Sequence, residues 1–525
     1  DKNTYIDADA VSLLVSGYWC WFWRAPIHRV LHAFISFVRI ILFSFGLQKP
    51  FWSISNAEEK ALFLAQDEKN EIEEVDISEA QSPQENRVET IFDDNTHREF
   101  LAILLDELEQ SELGSMARAI PIAKILERKL RIERFIRQHP DVVDVNVPKP
   151  LWILSLPRTG STWLHKLLSL DPACRTMKSW ELKYPLALNE CKGPTKKERF
   201  ELVKKQHEIL YKIAPRIRTI HFVSHNDPDE CIMGFIDPCL VDWHAWGMLS
   251  LKKSYEAYIN SSQATNSLTD KLYLNYAKVI KCILFQDNDD DPEFENEIEK
   301  EKKYGIAGKY ASSVVAFEGK SSSETELYSL GTSRIQNKRE HGYSHTVFKS
   351  PHHLLALQST NNAFPESRYL WLHRDPVKVV GSCCSMNLTV LDYFSALYQD
   401  KHELGKRTLN RLANSVRVAV AARKQLERRG VEFVDVLYED LKADSIGTIK
   451  RIYDEFNMHF SDEYAANLER FNLDAAILKA KNKNSTSSST STHAYAIEEF
   501  GLSESDVKDA FDDYIRLFPR IVEST

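Results

Sequence analysis

Ser155-Leu156-Pro157-Arg158-Thr159-Gly160-Ser161-Thr162-Trp163 is the stretch of this 525-residue chain best equipped to hold an anion. The apolar run Leu151 to Leu156 leads into it, and a helical pattern follows from about Thr162. A turn at that place leaves backbone N–H groups without partners at a helix amino end, where the dipole favours negative charge. Gly160 permits the tight turn, and Ser161 and Thr162 add hydroxyl donors. Arg158 adds a planar fork that suits phosphate or sulfate oxygens. The spacing is not GxxxxGK[ST], and Arg stands where such a loop carries Lys. Alone, the pattern also fits a simply capped helix. A second group removes much of that ambiguity. His373-Arg374-Asp375-Pro376 closes another apolar run, Pro376 suits a first helical turn, and Ser382 follows Arg374 by eight residues. Arg374 and Ser382 are expected to converge on a second phosphate.

Positioning these groups takes strands that stop at the loops and helices that start there. Three strand–turn–helix units are predicted: Leu151–Leu156 with a helix from about Thr162, Arg368–His373 with one from Pro376, and Val431–Leu437 with one from Ser445. Apolar strands alternating with helices imply an α/β fold, three layers around a buried parallel sheet. Before the first strand, residues 56–146 read as a polar linker followed by a helical layer with apolar period over 96–138. The main domain is expected over 147–525. Within it, residues 287–303 hold nine acids against three lysines, and 286–342 is expected to be an exposed insertion without a catalytic role. The Lys/Asn/Ser/Thr tract from Lys479 to Thr492 is expected to be flexible.

Residues 1–55 differ in kind. Positions 10–50 contain no Asp or Glu, four cations (Arg24, Arg29, Arg39, Lys49), and a cluster of Trp19, Trp21, Phe22 and Trp23. The apolar run Ala10 to Trp23 is shorter than the roughly 20 residues a spanning helix needs. Trp beside Arg suits the headgroup boundary, so this segment reads as an interfacial anchor on anionic lipid. The competing readings are a helix pair packed on the chain's own core and a tilted single span. The expected location is membrane-associated, on the cytosolic face or in the Golgi or endoplasmic reticulum lumen. Sequons stand at Asn260, Asn387 and Asn484; a glycan at Asn387 would fall inside the helix after Pro376, which favours the cytosolic side.

Composition narrows the function classes. Lys+Arg is 67 and Asp+Glu 76, a net charge of −9, which makes a nucleic-acid backbone a poor partner. The eight cysteines show no CxxC pair or other metal spacing, and no metal is expected.

Taken in order, these motifs resemble the PAPS-dependent sulfotransferase superfamily, in the branch with a PRTG[ST]T loop rather than the PKSGT loop of cytosolic members. Residues 155–163 match the 5′-phosphosulfate loop and 368–386 the 3′-phosphate motif. Lys349-Ser350-Pro351-His352 is similar to the KSP element, Tyr438-Glu439-Asp440 to the YED element, and 493–501 to the HxYxxxxFG stretch. The resemblance implies transfer of a sulfonate from 3′-phosphoadenosine 5′-phosphosulfate (PAPS) to an acceptor hydroxyl of a small molecule, lipid or glycan. It implies donor contacts from Pro157, Arg158, Thr159, Gly160, Ser161, Thr162, Trp163, Lys349, Arg374, Ser382 and Tyr438, with Lys483 and His493 in the carboxyl-terminal stretch. The RKG tripeptide of cytosolic members is absent, so the last two are carried over less securely. For Lys349, the competing reading is a strand-end lysine in solvent.

The proton of the acceptor needs a base. Glu181 resembles in position the Glu of tyrosylprotein sulfotransferases, and His221 lies about where cytosolic members carry their His. The bland alternative is that Glu181 caps or pairs structurally. Asp227-Pro228-Asp229-Glu230 resembles a PEE element and is expected to shape the acceptor site. Two other function classes compete: a catalytically inactive nucleotide-binding scaffold, and an ATP-dependent kinase, for which the Walker lysine is missing.

Overall fold

The computed structural model describes residues 128–129, 131–186, 195–213, 215–220, 222–236, 267–288, 294, 342–394, 400–483 and 496–523. Five parallel strands form its centre: β1 (Pro150–Ser155), β2 (Cys174–Thr176), β3 (His345–Lys349), β4 (Arg368–His373) and β5 (Phe433–Leu437). Their order is β2-β3-β1-β4-β5. Leu151 is paired with Val347 on one side and Arg368 on the other, so β1 sits in the middle. All six of its residues are buried, as expected of a strand covered on both faces.

Side-chain alternation gives the sheet two unlike faces. Trp152, Leu154, Phe348, Tyr369 and Trp371 point to one, where α5 (Ser267–Phe285), α6 (Leu357–Ala363), α7 (Pro376–Phe394) and α8 (Lys401–Glu427) supply partners such as Tyr273, Tyr276, Phe364, Val380 and Leu412. Leu151, Ile153, Val347, Leu370, Leu372, Val434 and Val436 point to the other. There they meet Leu164 and Leu167 of α1 (Ser161–Leu168), Ile449 and Ile452 of α10 (Ser445–Glu455), and Leu468 of α11 (Asp462–Lys483). Each such buried side chain contributes roughly 1.5–3 kcal/mol. The remaining helices are α2 (Ser179–Lys183), α3 (Lys196–Ile213), α4 (Pro215–Ile220), α9 (Tyr438–Ala443), α12 (Glu504–Ala510), α13 (Asp512–Leu517) and α14 (Arg520–Glu523).

The predicted three-layer α/β arrangement and its three strand–helix units are present, with α9 intervening before α10. Two strands were not predicted. β2 is only three residues long, and β3 is followed by a 3-10 turn at Pro351–Leu355 rather than directly by a long helix. Of the helical layer expected over 96–138, residues 131–138 are helical, and Ile132 and Phe135 enter the core. Helix α11 runs on to Lys483, so the tract expected to be flexible begins as helix.

The segment expected to be an exposed insertion is anchored at its start. Gln286 is buried, its side-chain amide donating to the carbonyls of Pro185 and Cys282, and Phe294 packs on Trp180 and Phe200. The amino-terminal anchor lies outside the described residues. No described helix is long and apolar enough to cross a membrane.

Candidate active site

The end of β1 and the start of α1 form the loop that the sequence singles out. Arg158 and Gly160 both take the left-handed backbone conformation, at φ 67° and 87°. Gly160 is the residue before α1, and no side chain caps that helix, so its first N–H groups face the loop. A Cβ on Gly160 would lie 2.7 Å from the Tyr438 ring, which shows how closely Tyr438 covers the turn. The Thr159 hydroxyl donates to the Leu156 carbonyl at 2.8 Å and closes the loop on itself. Ser161 is buried at the helix start. Trp163 is half-buried and packs on the core under the second face of the sheet.

Elements distant in sequence meet this loop as their spacing predicts. Arg158 Nε donates to Ser382 Oγ of α7 at 3.0 Å, and its Nη1 donates to the Ile220 carbonyl at 2.6 Å. Arg374 Nη1 donates to the Arg158 carbonyl at 2.6 Å. The Arg374 guanidinium lies 4.3 Å from the centre of the Tyr438 ring, a cation–π contact. Cys383 Sγ approaches the Pro157 carbonyl at 3.7 Å. Asp375 starts α7 by accepting the Val377 N–H at 2.9 Å, which places Ser382 two turns along the helix.

Lys349, at the end of β3, is only 2% exposed. Its ammonium donates to Thr162 Oγ1 at 3.1 Å and to Glu230 at 2.8 Å. The reading of a strand-end lysine in solvent is therefore incorrect: the sheet delivers Lys349 under the loop, and Glu230 offsets its burial. Arg158, Lys349, Arg374, Ser382 and Tyr438 thus gather about one helix amino end.

Around α1, β2 and α2, buried charges hold the chain together. Arg175 of β2 grips both oxygens of Glu181, at 3.0 and 2.7 Å, and also Asp287 at 2.8 Å. Glu181 further accepts the Lys178 N–H at 2.7 Å, so it closes the capping box of α2. Burial would raise the Glu181 pKa, but Arg175 and the Lys178 N–H outweigh it and the net direction is down. Lys166 of α1 pairs with Asp227 at 3.0 Å, and the Ser179 hydroxyl donates to Asp229 at 2.7 Å. Backbone bonds from Ser179 to Asp227 and from Asp229 to Met177 join the two segments.

Sequence reasoning did not find Arg175, Lys166 or Asp287. Their partners lie 6, 61 and 112 residues away, and no local pattern marks them. The predicted His221 and His493 lie outside the described residues, and Lys483 is described only as the last residue of α11. Among the described residues no group of three or more His, Cys, Asp or Glu side chains is placed to hold a metal ion. Asn387 is buried within α7 and donates to Thr408, a position closed to a glycan in the folded protein.

Comparison with known proteins adds an independent line. The fold resembles that of the sulfotransferase STF9 from Mycobacterium avium, with a TM-score of 0.58 and 18% identity over 89% of this chain and 96% of that one. It is similar to the sulfotransferase STF1 from Mycobacterium tuberculosis H37Rv, with a TM-score of 0.57 and 20% identity over 89% and 100% of the two chains. No curated protein matches the sequence significantly. The Sulfotransferase family profile matches residues 150–462, from the start of β1 to the start of α11. That match spans the anion loop, Lys349, Arg374, Ser382 and Tyr438, and this chain belongs to the Sulfotransferase family.

Proposed function

We propose that this protein transfers a sulfonate group from PAPS to an acceptor hydroxyl. The observation that carries the reading is the meeting of Arg158, Ser382 and Arg374 at an uncapped helix amino end beside Lys349. The acceptor oxygen attacks sulfur in line, the bond from sulfur to the bridging oxygen breaks, and its electron pair leaves with the 5′-phosphate. Charge grows on the bridging oxygen as in phosphoryl transfer, so fixed donors aimed there supply most of the acceleration. Arg158, Lys349, Thr162 and the first N–H groups of α1 take that part. Arg374 and Ser382 bind the 3′-phosphate side, joined in this reading by Lys483 and His493, and Tyr438 packs near the adenine. No step requires a metal.

For the acceptor's proton, the depressed Glu181 carboxylate is a weak base near neutral pH, and Arg175 already occupies both its oxygens. We assign the proton to His221, the residue following Ile220, whose carbonyl Arg158 holds. Glu181 then belongs to the acceptor wall. The acceptor is proposed to be a hydroxylated lipid, with a small molecule or glycan as the other classes, because residues 10–50 read as an interfacial anchor.

A thermal-shift titration of the full chain with adenosine 3′,5′-bisphosphate, beside ADP and ATP, tests the donor. Selective stabilisation by the bisphosphate, about 2.7 kcal/mol at a hundredfold excess over Kd, is expected. A preference for ATP would overturn the reading in favour of a kinase.

A further inference from the structure

Asp227, Asp229 and Glu230 each face a different partner, and the partner of Glu230 also touches the anion loop. Asp227 takes Lys166 and Asp229 takes the Ser179 hydroxyl, so both join one stretch of scaffold to another. Glu230 takes Lys349 at 2.8 Å, and Lys349 in turn donates to Thr162 Oγ1. An ammonium carries three hydrogens. Two are directed by Glu230 and Thr162, and the tetrahedral geometry sets the direction of the third. Thr162 accepts from Lys349 with its oxygen and keeps its own hydrogen to donate.

We propose that Glu230 is a positioning residue that keeps Lys349 aimed at the oxygens of the donor nucleotide held by the loop. The inference rests on the reading of the site as a PAPS site. Lys349 is 2% exposed, and Glu230 is the counter-ion that faces its ammonium, at 2.8 Å. Other titratable groups near it among the described residues are His165, His353 and Cys231. On α1, burial and then the Lys349 charge hold His165 well below the usual histidine range. On the 3-10 turn after β3, burial does the same to His353, followed by the charges of His352 and Lys349. Beside Glu230, burial pushes the Cys231 thiol up to about 12, so it stays protonated. Glu230 alone supplies the compensating charge among these described groups.

The test is calorimetric titration of the full chain with adenosine 3′,5′-bisphosphate, with the melting temperature measured alongside. Glu230→Gln is expected to bind at least tenfold more weakly than wild type. Lys349→Met should lose affinity to a similar extent, and adding Glu230→Gln to it should cost little more, which assigns the loss to Lys349. Glu230→Asp, a gentler change, should lose less, so the comparison survives a Glu230→Gln chain that does not fold. Wild-type affinity in both Glu230 variants would overturn the inference and leave the PAPS reading intact. A wild-type protein that does not bind the bisphosphate would overturn both.

Discussion

The two walls of the site are built by different means. On the donor side, a strand end, a left-handed turn and an uncapped helix do the work, and Arg158 is held by the Ser382 hydroxyl and the Ile220 carbonyl. In the other, β2, α2 and the 222–230 segment are fastened by buried ion pairs: Arg175 with Glu181 and Asp287, and Lys166 of α1 with Asp227. Backbone geometry shapes the first wall, and neutral hydrogen-bond acceptors hold its arginine in place. The second depends on each charge finding its partner. Loss of one group should therefore remove function on the donor side and stability on the other.

Arg175→Met gives the strongest contrast. It leaves Glu181 and Asp287 without their shared cation and should cost about 3–5 kcal/mol in denaturant unfolding. Adding Glu181→Gln should recover part of that loss; equal stability of single and double variants would break the assignment of the pair. Arg158→Ala is next, with turnover expected to fall about 100- to 1000-fold and the melting temperature nearly unchanged. A variant that unfolds instead would erase the distinction between the two walls. Gly160→Ala must hold φ 87° and meet the Tyr438 ring at 2.7 Å, a strain of roughly 1–2 kcal/mol from the backbone alone. Bisphosphate affinity should drop about tenfold, and Tyr438→Leu in the same chain should restore some of it.

The smallest effect concerns acid stability beneath the donor side. His373, at the end of β4, bonds Asp435 at 2.8 Å and the Tyr514 hydroxyl at 2.7 Å, while Arg423 grips Asp435 with two bonds. Burial would raise the Asp435 pKa, but the bonds from His373 and Arg423 prevail and lower it from 3.8 to about 2. A carboxylate with a depressed folded pKa stabilises above its unfolded value and loses that contribution as pH falls through the folded one. The window here is about pH 4 to 2. Asp435→Asn should lower stability above about pH 4, where the carboxylate's contribution is lost, and flatten the acid limb of the stability curve across that interval.

The same division governs what was legible in the sequence. The loop 155–163, the 368–382 unit and Tyr438 were readable because each is a local pattern: an apolar strand, a turn residue, a helix start. Their convergence on one another followed from the parallel sheet those strands imply. Glu181 was read as a candidate base, since a carboxylate 23 residues past Arg158 looks the same whether bare or paired. Its partner Arg175 sits on a three-residue strand that no periodicity announces. Lys349 was found by motif, but its burial and its tie to Glu230 came only from the way β3 lies beside β1. Asp287 was hidden in an acidic run whose composition argues for solvent. Long-range charge pairing leaves no trace in spacing, and in this molecule it joins β2, α2 and the 222–230 segment.

The place of β1 in the sheet bears on how the chain is made. This central strand is the first of the five to be synthesised, while its two neighbours, β3 and β4, begin roughly 190 and 210 residues later. At about 5–20 residues per second, a translating ribosome takes on the order of ten seconds or more to deliver them. During that interval the Pro150–Ser155 segment, with Trp152 and Ile153 at its heart, has neither edge paired. Closing a longer loop costs only a logarithmic increment, so an insertion between β2 and β3 weighs little on final stability and heavily on this waiting time. The nascent chain therefore carries one short apolar strand unpaired through most of its synthesis, and its yield in cells is expected to rise with chaperone supply.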